Sequence, residues 1–302
     1  MSTTLAIAML VAGRLVVPFV DSVVKYLDRR YSPWQLVWAR YLVMTVVVLP
    51  IALGRHGWLG VLWPPRQPLL VLRGLLQAVA TACFFYAIGP LPIADACAIL
   101  FLSPVLIVLL SALVTRETVS AARCLGVIGG FVAIMLIVKP GFDGFQPASL
   151  AALAAAVALA VYTMVTRELR DVPALLVLLY QALPGLLALS LLLPTYVRWP
   201  RNGVDALLMA SLGVASSGIH YLTISALQRA EASLLAPFYY TEILMGVVCG
   251  YVFFGDVPDG WSVAGMAGVI LVGLYLSRQG EAAAAVPAPP KANTRTRTSA
   301  LV

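Results

Sequence analysis

Ala232–Gly255 reads ASLLAPFYYTEILMGVVCGYVFFG. About 20 apolar residues suffice to cross a bilayer, and this stretch has that length. Pro237 stands in its first half and Glu242 near its middle, behind Phe238, Tyr239 and Tyr240. A carboxylate at the bilayer centre costs about 2.5–3.5 kcal/mol on insertion scales. A chain of apolar helices avoids that cost with almost any other residue. Glu242 is therefore expected to face a polar cavity or a partner and to belong to a functional site. Phe238 and Tyr239 fall about one helical turn before it and share its face. The plainer reading is a glutamate that only hydrogen-bonds a neighbouring helix.

The rest of the chain has the same character. It holds 302 residues, 61% hydrophobic and 11% charged, with a mean hydropathy of +0.95, whereas soluble domains carry about 25% charged residues. The composition is that of a polytopic, all-α membrane protein. In a soluble protein a net charge of +7 points towards nucleic acid. Here the charges sit in short connections, where they set topology instead, and no nucleic-acid partner is expected. Cys83, Cys97, Cys124 and Cys249 lie inside apolar spans with no CxxC spacing, which reads as packing rather than a metal or disulfide frame. The N-terminus lacks a basic leader region and reads as a first span, not a removable signal.

Ten transmembrane helices are expected, over about 5–26, 32–53, 69–88, 92–114, 121–138, 148–166, 173–193, 204–227, 232–255 and 261–277. Turn residues punctuate them, as in Gly89-Pro90-Leu91-Pro92 and Val257-Pro258-Asp259-Gly260. Residues 279–302 are rich in Ala, Pro and Thr, with Lys291, Arg295 and Arg297, and read as a disordered basic tail. With the N-terminus in the cytoplasm, Arg55, Arg66, Arg73, Arg116, Arg123, Arg167, Arg170 and Arg229 fall on the cytoplasmic side. Lys25, Arg29, Arg30, Lys139, Arg198 and Arg201 fall outside. The positive-inside rule favours that orientation, with both termini cytoplasmic.

The chain also repeats itself. Ala94-Asp95-Ala96 returns as Ala230-Glu231-Ala232, Glu117 as Asp256, Gly126 as Gly265, and Pro33 as Pro173, at spacings of 136 to 140 residues. This divides the chain into a first five-helix repeat, 1–140, and a second, 141–278. An odd number of spans per half inverts the second half relative to the first. Inverted repeats characterise secondary transporters, with substrate bound near the midplane between the halves.

Within the spans, Arg14 and Asp21 lie two turns apart on one face of the first helix, with Lys25 a turn further on. Pro18 between them is expected to break or kink that helix. Arg14 and Lys25 are expected to snorkel to opposite interfaces. Arg40, inside the second span, either locks helices by pairing with Asp21 or Glu242 or binds an anionic group of a substrate. Asp95 and Glu231 open spans, where acid meets the positive helix end; Glu117 and Asp256 close connections at the surface. All four read as structural. His220 reads as a hydrogen-bonded packing residue, with proton relay as the alternative. Tyr86, Tyr162, Tyr180, Gln77 and Gln181 suit a pocket lining, although each alone reads as a helix–helix hydrogen bond. Gly126 with Gly130, and Gly246 with Gly250, form GxxxG pairs for close packing. The chain carries no HExxH, GxSxG, GxxxxGK[ST] or metal-spaced His/Cys cluster. No enzyme activity, cofactor or metal is expected.

LRG at 72–74, IVKPG at 137–141, the SPVLIVLL run from Ser103 and APFYYTE at 236–242 resemble segments of the drug/metabolite transporter (DMT) superfamily. More closely, they resemble its EamA branch, near S-adenosylmethionine-uptake-like carriers. The resemblance spans about residues 15–278. It implies ten helices, cytoplasmic termini and alternating access around a central cavity for a small organic solute. Asp21-x-x-x-Lys25-Tyr26-Leu27, Arg40 and the Pro237–Glu242 segment are the matching positions. The family often has Glu where this chain has Asp256.

Together these readings point to an inner-membrane carrier, active or facilitative. Glu242 and Arg40 bracket the substrate site, Phe238, Tyr239 and Tyr240 line it, and Asp21 joins them. A site with both signs of charge suits a zwitterionic or amphiphilic metabolite. Protons are a candidate coupling ion, because intramembrane carboxylates relay them. An intramembrane enzyme or a membrane scaffold or receptor is the alternative class.

Overall fold

The computed structural model describes residues 3–103, 106, 110, 121–138, 146–169, 171–227 and 236–284. Among the described residues ten α-helices follow one another: α1 Thr3–Asp28, α2 Pro33–Leu62, α3 Gln67–Ile88, α4 Ile93–Leu100, α5 Ala121–Val138, α6 Ala148–Arg167, α7 Ala174–Tyr196, α8 Gly203–Leu227, α9 Thr241–Cys249 and α10 Gly260–Ala284. No strand occurs among the described residues. Six of the described helices, α1–α3 and α6–α8, are long and apolar enough to cross a membrane.

Several boundaries differ from expectation, each for a local reason. Pro18 does not interrupt α1, which runs unbroken; Ser22 Oγ donates to the Pro18 carbonyl at 2.7 Å. The second helix continues past residue 53 to Leu62 across a kink at Gly57. Gly57 has φ 68°, a backbone that glycine adopts without penalty. The ninth span is not one helix. A 3₁₀ turn, Ala236–Tyr240, leads into the short α9, and a π turn, Gly250–Phe254, follows it. Beyond 278, where a disordered tail was expected, α10 persists to Ala284, carried by helix-favouring Arg, Gln, Glu and Ala. The rest of the tail lies outside the described residues, as do Glu117, Glu231 and most of 104–120.

Close backbone approaches fix the packing. A Cβ on Gly74 of α3 would stand 2.3 Å from the Tyr180 carbonyl of α7, and one on Gly213 of α8 would stand 2.7 Å from the Arg40 carbonyl of α2. These two contacts mirror each other. Gly74 and Gly213 are 139 residues apart, and Arg40 and Tyr180 are 140 apart. The helix pairings mirror each other too: α3 packs on α6 as α1 packs on α8, and α1 on α9 as α6 on α4. The remaining strong pairings, α2 with α7, α4 with α9 and α5 with α10, join equivalent helices of the two halves.

The loops sort to two ends. Gln35 near the start of α2 bonds Arg198 at the end of α7, both ways, at 2.6 and 2.9 Å. Arg30 after α1 pairs with Asp205 at the start of α8 at 3.0 Å. At the opposite end Arg66, between α2 and α3, meets Asp171, between α6 and α7, at 3.3 Å. Exposed tryptophans follow the same division: Trp34, Trp199 and Trp261 at the first end, Trp58 and Trp63 at the second. Paired aromatic belts of this kind mark the two interfaces of a bilayer.

Candidate functional site

The middle of α1 carries the polar centre. Arg14 Nη1 donates to Glu242 Oε2 at 3.0 Å, with the side chains 19% and 4% exposed. The guanidinium also lies 4.2 Å from the centre of the Tyr239 ring, a cation–π contact that adds to the ion pair. Arg14 was expected to snorkel. It does not, because a buried carboxylate and an aromatic face hold it between the helices. The 3₁₀ turn explains how: it brings Tyr239 and Glu242, from either side of Tyr240, onto one arginine.

Asp21 is 3% exposed and lies within Coulomb range of both Glu242 and Arg40. No ion pair joins it to a cation among the described residues. Arg40 pairs with neither carboxylate. Its Nη2 lies 3.1 Å from His220 Nε2, and its guanidinium carbon lies 5.5 Å from the Phe85 ring centre. A guanidinium offers only donors, so Nε2 accepts and the imidazole proton belongs on Nδ1. His220 thereby stands beside Arg40, where sequence alone read it as packing.

The aromatic residues divide. Tyr239 contacts Arg14. Tyr240 is buried, its ring 5.3 Å from that of Phe101. Phe238 packs with Tyr239 against Ala6, Leu10 and Ala226. The structure thus gathers Glu242, Asp21, Arg40 and Tyr239 around α1, with Tyr240 and Phe238 in the walls beside them.

Lys25 was also expected to snorkel. Instead its Nζ donates to Asp256 Oδ2 at 2.6 Å and to the Leu91 carbonyl at 2.8 Å. That contact ties α1 to the connections before α4 and before α10. Arg73 was assigned to the cytoplasmic side by the loop count, yet it is 3% exposed. Its Nε donates to Thr166 Oγ1 at 2.9 Å, its Nη1 to the Val177 carbonyl at 3.3 Å, and its Nη2 to Tyr162 and Gln181. The signal was available, since Arg73 falls inside the apolar run 69–88. Of the other pocket candidates, Tyr180 bonds the Val61 carbonyl and Gln77 bonds Thr81, whereas Tyr86 is 56% exposed on the outside of the bundle. Ser262 Oγ lies 3.4 Å from Asp95 Oδ2.

Several buried polar atoms lack a hydrogen-bond partner among the described residues: Arg14 Nε, Asp21 Oδ2 and Arg40 Nε at this centre, and Thr45 Oγ1, Gln181 Nε2 and Thr223 Oγ1 elsewhere in the bundle. Buried polar groups are ordinarily satisfied. No group of three or more His, Cys, Asp or Glu suited to a metal occurs among the described residues.

A helical bundle with aromatic belts and charges at its centre defines a membrane transport protein. The chain belongs to the EamA-like transporter family, whose model matches it twice, over residues 3–139 and 146–278. It is similar to a riboflavin transporter of Vibrio cholerae, 29% identical over 90% of this chain and 92% of that one. It is similar to an S-adenosylmethionine uptake transporter of Rickettsia felis, 23% identical over 85% and 86%. A third relative is the pseudopaline exporter CntI of Pseudomonas aeruginosa, 28% identical over 76% and 78%. A crystal structure superposes with a TM-score of 0.62 at 23% identity, covering 93% of this chain and 99% of that one; the likeness is one of fold. The protein is a multi-pass membrane transporter of small molecules and not an enzyme, which also sets aside a scaffold or receptor.

Proposed function

We propose that the chain is a secondary carrier, active or facilitative, for small organic metabolites of zwitterionic or amphiphilic character. It works by alternating access around a central site of Glu242, Arg40 and Asp21, with Tyr239, Tyr240 and Phe238 as its apolar and hydrogen-bonding wall. The observation that carries this reading is the buried Arg14–Glu242 pair amid polar atoms left without partners. Both signs of charge stand there, and a solute supplies the missing donors and acceptors. The two halves, 1–140 and 141–278, act as inverted repeats. The mirrored contacts of Gly74 and Gly213 support that division, as does the double match of one family model. The Lys/Arg distribution supports an inner-membrane location with cytoplasmic termini. Relatives named for riboflavin, S-adenosylmethionine and pseudopaline support an organic solute carrying polar groups.

The test is counterflow in proteoliposomes with labelled amino acids, S-adenosylmethionine, riboflavin, nucleosides and organic acids. Wild type is expected to exchange one class saturably, and Glu242→Gln to lose that exchange. Exchange undiminished in Glu242→Gln rejects the site; no exchange of any class by wild type overturns the carrier reading for these metabolites.

A further inference from the structure

The two central carboxylates are unequally served, and the following rests on the carrier reading. Glu242 holds Arg14 at 3.0 Å. Asp21 is as deeply buried, yet its Oδ2 meets no donor among the described residues. Among the described residues, the elements packed on this part of α1 bring few other charged or titratable groups. From α2 comes Arg40, engaged by His220 of α8. Asp205, at the far end of α8, is taken by Arg30 and Tyr31. Arg73 of α3 is spent on α6 and α7. Helix α4 brings the Cys97 thiol and α9 the Cys249 thiol, both within Coulomb range of Asp21, and α9 also brings the Glu242 carboxylate. Asp95 of α4 lies beside Ser262. The 3₁₀ turn contributes Tyr239, laid on Arg14, and Tyr240, stacked on Phe101. On α1 itself, Ser22 gives its hydroxyl to Pro18 and Lys25 is held by Asp256.

An ionised carboxylate in this position has the Glu242 carboxylate as one neighbour and, as the other, a guanidinium that lies within Coulomb range but makes no ion pair with it. Leaving a charge buried without a paired cation or full hydrogen bonding is costly, and the group neutralises instead. We propose that Asp21 binds the coupling proton of the transport cycle, held as the carboxylic acid in this conformation. The proton leaves to water when the site opens to one side of the membrane. The carboxylate that remains takes Arg40, which exchanges its hydrogen bond to His220 for an ion pair. Solute and proton are thereby linked through one residue, since Arg40 also stands in the proposed solute site.

Two measurements on the full chain test this. The first is infrared difference spectroscopy of purified protein at neutral pH, reading the carbonyl stretch of a protonated carboxylic acid. Wild type is expected to show the band, Asp21→Asn to lose it, and sodium to leave it unchanged. Absence of the band from wild type, its persistence in Asp21→Asn, or its loss on adding sodium at constant pH overturns the assignment, the last by indicating a metal-cation site. Should Asp21→Asn fail to fold, Asp21→Glu serves: a shifted band supports the assignment and an unshifted one overturns it. The second measurement imposes a pH gradient on proteoliposomes loaded for counterflow. Several-fold accumulation by wild type is expected, and none by Asp21→Asn. Counterflow indifferent to the gradient overturns the coupling alone, whereas failure of all counterflow overturns the carrier reading beneath it.

Discussion

The C-terminal end of α1 and its middle handle charge in opposite ways. At the C-terminal end, Lys25 reaches Asp256 and a carbonyl, Arg30 reaches Asp205, and Tyr31 donates to the same aspartate at 2.7 Å. Tyr31 in turn accepts from the Arg201 backbone at 2.9 Å. In the middle, Arg14, Asp21, Arg40 and Glu242 come together, and atoms on the first three, like those on Thr45, Gln181 and Thr223 elsewhere in the bundle, have no partner among the described residues. The end is satisfied as a structural joint is. Such atoms in the middle have no protein partner among the described residues, and buried polar groups of that kind are ordinarily completed by water, a ligand or a second conformation.

The strongest break of this contrast is at its centre. Glu242→Ala leaves the Arg14 guanidinium without its carboxylate, and loss of about 3–5 kcal/mol of stability is expected, read by denaturant unfolding in detergent. The double variant Arg14→Met with Glu242→Leu is expected to recover most of it, because a buried pair replaced by apolar groups is often neutral. Next comes Asp205→Ala at the joint, which strips Arg30 and Tyr31 of a shared acceptor. A fall of about 2–6 °C in Tm is expected, with counterflow retained. Lys25→Met is smaller, about 1 kcal/mol or less for a partly exposed pair. Exchanging the pair as Lys25→Asp with Asp256→Lys should restore stability. Smallest is Thr45→Val. It removes an unpartnered hydroxyl, and stability is expected to stay level or rise by up to about 1 kcal/mol. A clear loss in Thr45→Val would place that hydroxyl on the satisfied side of the contrast.

Apolar run length is a local property, and it located ten helices to within a few residues at most ends. The discontinuities at Gly57 and around Thr241–Cys249 depend on backbone torsions that composition does not display. Charge within a span signals that a partner exists without saying which. Glu242 was legible as a residue needing one, but the choice of Arg14 depends on α1 meeting α9, a contact 228 residues apart in the chain. The same limit hid Arg73, counted as a loop charge although it sits among apolar residues. It also hid Gly74 and Gly213, whose role appears only when the carbonyl facing each is known. The repeat was legible through Asp95, Asp256 and Gly265, and the mirrored glycine contacts repeat it at the same spacing.

The ion pairs made by α1 and the loop after it also set a schedule. Their partners lie 175, 228 and 231 residues later in the chain. At ribosomal rates of about 5–20 residues per second, Arg14 enters the membrane roughly 10–45 s before Glu242 is made. Throughout that interval the first helix holds a charge that no completed segment neutralises. Truncation before α9 thus leaves Arg14 of the first helix without the carboxylate that pairs with it in the folded chain.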